Sequence, residues 1–398
     1  MKIVYLLVFS LFLTSIHVNG QAENNLIWKY KTEGRIYATP AIDGENIYVG
    51  SADHYFYAID KISGKPKWKF QTKGAVHSSP LIINNTVAFG SADGQLYVLN
   101  KKDGTLLWKF SSRGEKKYGF WDYYLSSPKE DNNLIYWGSG DGNLYVLDAL
   151  TGVEQWRFKT NDIIHADPVI HEDKVFFGSF DGNLYALHKT SGELVWKFKA
   201  LGAQYFPKGE IQKAVLIDEE TVYFGSRDYN IYALDEQTGA VKWNMREPAG
   251  WIIATPAVKD DLIYFGTSDA HQFYAVNKIS GAMVWSIPVH MRVYGAAIVH
   301  ENLVYFGTFD GKIMGVDRKT GKEQWQFQTE GSKKNYHTVF AADGNYKEGF
   351  QLYGQDMEKT EEMILDLGAV LCDPAIENDI MYFGSADGYL YSVDLNSK

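Results

Sequence analysis

Residues 177–198 read Phe-Gly-Ser-Phe-Asp-Gly-Asn-Leu-Tyr-Ala-Leu-His-Lys-Thr-Ser-Gly-Glu-Leu-Val-Trp-Lys-Phe. The phrase is written into the chain eight times. Its first glycine falls at Gly50, Gly90, Gly138, Gly178, Gly225, Gly266, Gly307 and Gly384, and its tryptophan at Trp28, Trp68, Trp108, Trp156, Trp196, Trp243, Trp285 and Trp325. A period of about 40 residues, with β-type residues between turn signals, is the signature of a propeller. Eight copies predict an all-β fold, an eight-bladed β-propeller of four-stranded antiparallel blades.

One unit shows how a blade is made. Residues 36–42, 46–51, 55–60 and 67–72 are short alternating runs, separated by Asp43-Gly44, Ala52-Asp53 and Ile62-Ser63-Gly64, all turn chemistry. The repeated aspartates (Asp53, Asp93, Asp141, Asp181) are expected to bond their own turns, and the tryptophans to pack between blades. Trp28 precedes the first Gly-Ser-x-Asp, and the last unit stops after Asp394 without a tryptophan strand of its own. Residues 26–32 are therefore expected to complete the last blade and close the ring, leaving no unpaired edge at the seam.

The ends and composition bound the setting. Lys2, an apolar run over residues 3–13 and Val18-Asn19-Gly20 read as a secretory signal cleaved after Gly20, with residues 21–398 forming a single domain. The run is too short to span a bilayer. Cys372 is the only cysteine, so no internal disulfide supports the fold and no lipid anchor is expected. Without Lys2 the chain carries 38 basic and 49 acidic residues, a net charge of −11, which disfavours nucleic acid. An exported, periplasmic or secreted monomer is the expectation.

The repeat resembles the quinoprotein-type (PQQ-like) propeller repeat over residues 26–394. Dehydrogenases of that kind carry a vicinal cysteine pair and a calcium-binding acidic and amide set. Cys372 stands alone, so the resemblance implies no quinone cofactor here; no cofactor is expected, and whether a metal assists stays open. The non-catalytic outer-membrane assembly proteins of the BamB type also have eight such blades. They are lipoproteins, and this chain has no lipidation cysteine near the cleavage site.

Departures from the repeat point to function. Spacings of 48, 47 and 77 before Gly138, Gly225 and Gly384 place extra residues at 111–122, 199–210 and about 330–368. All three fall in connections between a fourth strand and the next first strand, so they project from one face, the top. Within the third, residues 356–367 form either a short helix that lids the mouth or a plain surface excursion.

The first strands align without gaps. Tyr37, His77, His165 and Tyr294 share one aligned position; two residues earlier, Arg35, Tyr123, Trp251 and Arg292 share another. The position between them is almost wholly aliphatic. Alternation sends the flanking positions to the opposite face, toward the central channel. The expected rim is cationic, imidazole-bearing and phenolic, with Lys213 on a neighbouring strand and Tyr336 and His337 from the third insertion. His171, His188 and His300 fall in turns or on the bottom face and receive no role.

Such a mouth on an acidic protein suits an anionic oligosaccharide: arginine grips a carboxylate or sulfate, and aromatic faces stack on sugars. The expected activity is β-elimination on uronate-containing, possibly sulfated sugars by a lyase or dehydratase. Arg35 or Arg292 would neutralise the carboxylate, His77 or His165 act as base, and Tyr37 or Tyr294 as acid or alternative base. Tyr123, Trp251, Lys213, Tyr336 and His337 would bind substrate. The arrangement is similar in residue types and location to propeller-fold polysaccharide lyases. The alternative is a non-catalytic periplasmic binding or assembly scaffold of the BamB kind, whose top mouth would hold a peptide strand or a partner protein.

Overall fold

The computed structural model describes residues 25–116, 119 and 121–396; the expected signal segment lies outside them. Among these residues, thirty-two strands form eight four-stranded antiparallel sheets. Seven blades are continuous in sequence. The eighth takes its inner three strands from Ala375–Glu377, Ile380–Gly384 and Tyr389–Asp394, and its outer strand from Leu26–Lys31. The closing register pairs Lys29 with Tyr391 and Lys31 with Tyr389.

The repeat's glycine is explained by what lies beside it. A Cβ on Gly50 would stand 2.3 Å from Val76 Cγ1, and one on Gly178 2.2 Å from Ile211 Cγ2. Each is the aliphatic residue that enters the next blade, buried between sheets. Only a residue without a side chain allows that approach.

Each tryptophan acts on the blade that follows its own. The Trp68 ring lies against Gly104, and its Nε1 donates to the Lys101 carbonyl at 3.2 Å. Trp28, Trp108, Trp196, Trp243 and Trp285 donate to the matching turns at 2.9 to 3.2 Å.

The inner strands are shorter than the alternating pattern predicts. They run for three residues, such as Ala41–Asp43 and Leu81–Ile83. In six blades the strand begins directly after a proline (Pro40, Pro80, Pro128, Pro168, Pro256, Pro374), which has no N–H for a ladder. The rim positions thus lie in extended segments ahead of the strands. Backbone bonds to the preceding blade fix them, as from Val76 N to Ser51 O at 3.0 Å and Ile36 N to Ser385 O at 3.1 Å.

The third insertion contains two helices, α1 (Glu330–Val339) and α2 (Met357–Leu365). Thr329 caps α1 by accepting from Ser332 N, and Asp356 caps α2 by accepting from Lys359 N. Of the two alternatives for residues 356–367, the helix is the one observed. Ile364, Leu365 and Leu367 are buried against Tyr37, Tyr123 and Tyr294, so the insertion sits on the ring's mouth.

Candidate functional site

Tyr37, His77, Tyr123 and Tyr294 meet beneath the lid. Tyr37 lies edge-on to His77 at 4.9 Å and beside Tyr123 at 5.4 Å, and Tyr123 is 6.4 Å from Tyr294 between ring centroids. Phe309 packs on Tyr294 at 4.6 Å. The Tyr123 hydroxyl donates to Glu361 of α2. Burial pushes the Tyr37, Tyr123 and Tyr294 phenols well above their ordinary range, and it raises the Glu361 carboxyl. The Tyr294 hydroxyl is buried without a hydrogen bond. Together these side chains form a packed aromatic core where an open mouth was expected.

The two arginines are spent on fastening. Arg35 grips Glu362 of α2 through both terminal nitrogens, at 2.9 and 2.7 Å, and also reaches Asp366 at 2.9 Å. Arg292, 1% exposed, donates to Asp269 at 2.8 Å and to the Tyr353 hydroxyl at 2.6 Å, and lies 4.2 Å over the Trp121 ring. Asp269 and Tyr353 are therefore parts of the site that the sequence reading did not single out.

His165 occupies a separate compartment. Its Nδ1 is 2.7 Å from Asp122 Oδ2, and its Nε2 is 2.7 Å from Glu115 Oε1. Burial alone would lower the imidazole. The two carboxylates outweigh it and push it up to about 10, so it is a fixed cation holding the first inserted loop. Asp122 also accepts from Gln212 at 3.1 Å, and Gln212 accepts from Arg227 at 2.9 Å.

Of the remaining residues, Trp251 belongs to the same buried cluster as the three tyrosines, and Tyr336 packs against it. Trp251 is buried under Phe206 at 4.5 Å, with Arg227 at 4.8 Å. Lys213 lies over Tyr124 at 4.0 Å and 3.6 Å from Asp373. Tyr336 of α1 packs with Phe340, which caps the helix, and His337 is exposed on the same helix. His165 thus lies apart, while Tyr37 stands beside Arg35 and Tyr294 beside Arg292, each arginine already paired with a protein carboxylate.

A missed regularity separates two blades from the rest. In blades 1–5 and 8 the turn aspartate accepts from the tyrosine four residues on, as from Tyr57 to Asp53 at 2.6 Å and Tyr185 to Asp181 at 2.7 Å. It also accepts from a backbone N–H of the preceding connection, as from Asn161 to Asp181 at 3.1 Å. In blade 6 one extra residue frees Asp269 for Arg292. In blade 7 Met314 replaces the tyrosine, and Asp310 faces His290 and Lys312 instead. The aspartate-to-tyrosine spacing was readable in the sequence, and its failure at two units was the signal.

These residues do not fit the quinone cofactor of the resembling dehydrogenases. The top of the axis is filled by Tyr37, Tyr123, Tyr294 and Phe309 beneath α2. The Cys372 thiol is engaged by the Gly384 backbone at 3.3 Å, in the place where Ser78 and Ser126 bond the matching glycines of their blades. Two acidic and imidazole clusters with metal-ligand spacing, His171 with Glu172 and Glu236, and His300 with Glu301 and Asp379, lie on the bottom face. Lys174 already occupies Glu236 in the first, at 3.3 Å.

Comparison with known proteins places the chain. Residues 15–156, 125–246 and 230–343 match the family model described as outer membrane protein assembly factor BamB. Quinoprotein alcohol dehydrogenase PedE of Pseudomonas putida is 29% identical over 104 residues, covering 24% of this chain and 16% of that protein. A quinoprotein ethanol dehydrogenase of Pseudomonas aeruginosa is 41% identical over 56 residues, 14% of this chain and 9% of that protein. The chain thus spans less than a fifth of the length of these curated relatives. The crystal structure of BamB from Moraxella catarrhalis superimposes with a TM-score of 0.68 at 15% identity, covering 94% of this chain and 98% of that one. At that identity the likeness establishes the fold alone.

These findings overturn the β-elimination reading. The matching proteins are an assembly factor and quinoprotein dehydrogenases, not lyases or dehydratases, so the carbohydrate activity and the anionic oligosaccharide as partner are both withdrawn. The physical reason agrees: Arg35 and Arg292 are already paired with protein carboxylates, and His165 holds two more.

Proposed function

The chain belongs to the family of the outer membrane protein assembly factor BamB, and from that premise we propose that it is a non-catalytic, exported scaffold that holds partner proteins during outer-membrane assembly. The observation that carries this reading is the closed mouth. Tyr37, Tyr123 and Tyr294 pack under α2, with His77 against Tyr37, and Arg35 and Arg292 bind the lid and its surroundings. A rim so used gives rigidity to a platform. Rigid platforms present loops and edges to partners at low ordering cost.

Among the described residues no helix is long and apolar enough to cross a membrane. Export to the periplasm is part of the proposal, supported by the family. The test is genetic and biochemical. Removing the gene should lower the amount of correctly assembled β-barrel protein in the outer membrane, read by heat-modifiable gel mobility. Wild-type protein and a His77→Ala variant should both restore it. Unchanged barrel assembly in the deletion strain refutes the scaffold. Failure of a folded His77→Ala protein to complement refutes its non-catalytic character.

A further inference from the structure

One turn aspartate of the ring is held by a side chain that titrates near neutral pH. In blades 1 to 4 the residue five positions after the tryptophan bonds the next aspartate through its backbone: Glu33 N to Asp53 at 3.0 Å, Lys73 N to Asp93 at 2.9 Å, Arg113 N to Asp141 at 2.9 Å and Asn161 N to Asp181 at 3.1 Å. At blade 7 that position holds His290, and its ring faces Asp310.

The ring stands between the propeller and the third insertion. Its Nδ1 lies 3.4 Å from Asp310 Oδ2, a charge contact without an aligned hydrogen bond. Its Nε2 lies 2.6 Å from the Gly344 carbonyl. Phe340 packs on it at 4.4 Å and Tyr336 stacks at 5.8 Å between centroids. Gly344 belongs to the turn of a short hairpin, in which Phe340 bridges Tyr346 and Ala341 N donates to Asn345 O at 2.8 Å. His290 is thus a polar tie between this hairpin and blade 7.

The two contacts decide how many protons the ring carries. A carbonyl only accepts, so Nε2 bears a proton. A neutral ring would then turn a bare lone pair at Nδ1 toward a buried carboxylate. The other neutral tautomer would set a bare Nε2 at 2.6 Å from a carbonyl oxygen. Only the imidazolium satisfies both sides. Burial alone would raise the Asp310 carboxyl, but His290, Lys312 and the Thr308 hydroxyl outweigh it and hold it at about 2. Lys312, 3.1 Å from Asp310 Oδ2, opposes a second cation. The Tyr336 hydroxyl, 3.5 Å from Nε2, is neutral, its phenol raised by burial, and His271 on the blade 6 turn is lowered by burial. Among these neighbours the Asp310 carboxylate prevails, and it raises His290 above its ordinary value.

We propose that His290 is a proton-operated latch on the lid: charged, it ties the hairpin at residues 340–346 to Asp310 of blade 7, and neutral, it must release one of the two ends. Such a latch goes beyond the scaffold role and is independent of it. Because the folded value is raised, the latch is closed below the ordinary 6.5 and opens as pH rises through the folded value. The fastening of α2 does not follow it. Arg35 keeps its charge throughout, and the guanidinium beside Glu362 holds that carboxyl below its usual range, so α2 stays in place while the hairpin loosens.

The test uses the full-length exported protein, with hydrogen exchange read by mass spectrometry between about pH 5.5 and about pH 8.5 and each rate divided by the intrinsic rate at that pH. Protection of residues 340–347 should fall at least about threefold across the range, the worth of one partly exposed ion pair. The blade 1 strand Asn46–Gly50 is the reference for any global loss. In His290→Gln, whose amide still donates to Gly344 but does not titrate, the step should vanish. The wild-type ring supplies a check that needs no variant: its nitrogen chemical shifts should show both nitrogens protonated at the acid end and a midpoint above the ordinary 6.5. Protection that does not change relative to the reference, a step that persists in a folded His290→Gln protein, or a ring already neutral at the acid end overturns the latch.

Discussion

Replacing Gly50 by alanine adds one methyl group at a place with no room for it. The new Cβ would lie 2.3 Å from Val76 Cγ1, 2.5 Å from Val76 O and 2.7 Å from Val76 Cβ. Two of these atoms belong to the branch point and backbone of the next blade, so a rotamer change cannot clear them. Gly90 supplies the internal comparison. Its nearest neighbour is Trp137 Nε1 at 2.9 Å, and the next two atoms are at 3.4 Å. Overpacking a core costs about 1–3 kcal/mol. Gly50→Ala belongs at the upper end, about 3 kcal/mol, and Gly90→Ala at the lower, about 1 kcal/mol. With an unfolding entropy of about 2 cal/mol/K per residue, 1 kcal/mol moves the midpoint of a ring this size by roughly 1–1.5 °C. Calorimetry should therefore show losses of about 4 °C and about 1 °C. Val76→Ala in the Gly50→Ala background removes the Cγ1 contact but not the carbonyl contact, and should recover only part of the loss. Equal losses at Gly50 and Gly90, or full recovery by Val76→Ala, would refute the argument that close approach between blades makes this glycine necessary.

Other expectations follow from the same contacts. Deleting residues 21–31 exposes the edge of Tyr389–Asp394 and should abolish the cooperative calorimetric transition or lower it by more than about 10 °C; an unchanged melt refutes closure by that strand. His165 has a folded value near 10 against an ordinary value of 6.5, so its contribution is full below about pH 6.5 and is lost as pH rises toward 10. Denaturant titrations should show stability falling over that window in the wild type, with the slope flattened in His165→Gln. Arg35→Ala removes partly exposed ion pairs to Glu362 and Asp366, so global stability should change by less than about 1 kcal/mol. Limited proteolysis within residues 341–366 should nevertheless accelerate; unaltered cleavage would mean Arg35 does not fasten the lid.

The ring was legible because its information is periodic. Gly50 and its seven counterparts, the tryptophans and the orphan strand at Trp28 each repeat or complete a pattern, and the structure places them in the expected blades. The inner strands were read too long because alternation continues through Tyr37 and His77, while the prolines after them end the ladder. The rim was placed at the right end of the ring but given the wrong surroundings. What covers it comes from residues with no period at all: Trp121 in one insertion, and Tyr353, Glu361, Glu362 and Asp366 in another. A count of charged groups at a mouth says nothing about which charges already have partners.

The outer strand of the last blade also has a consequence for biogenesis. Thr32 bonds the Gly388 carbonyl, 356 positions away. During synthesis or passage through a translocon, residues 26–31 emerge first and find their place last. Until the final blade arrives, the half-made protein carries sticky termini at both extremities. A chaperone that shields them in transit would govern yield, and truncation near the C-terminus should be as damaging as truncation near the start.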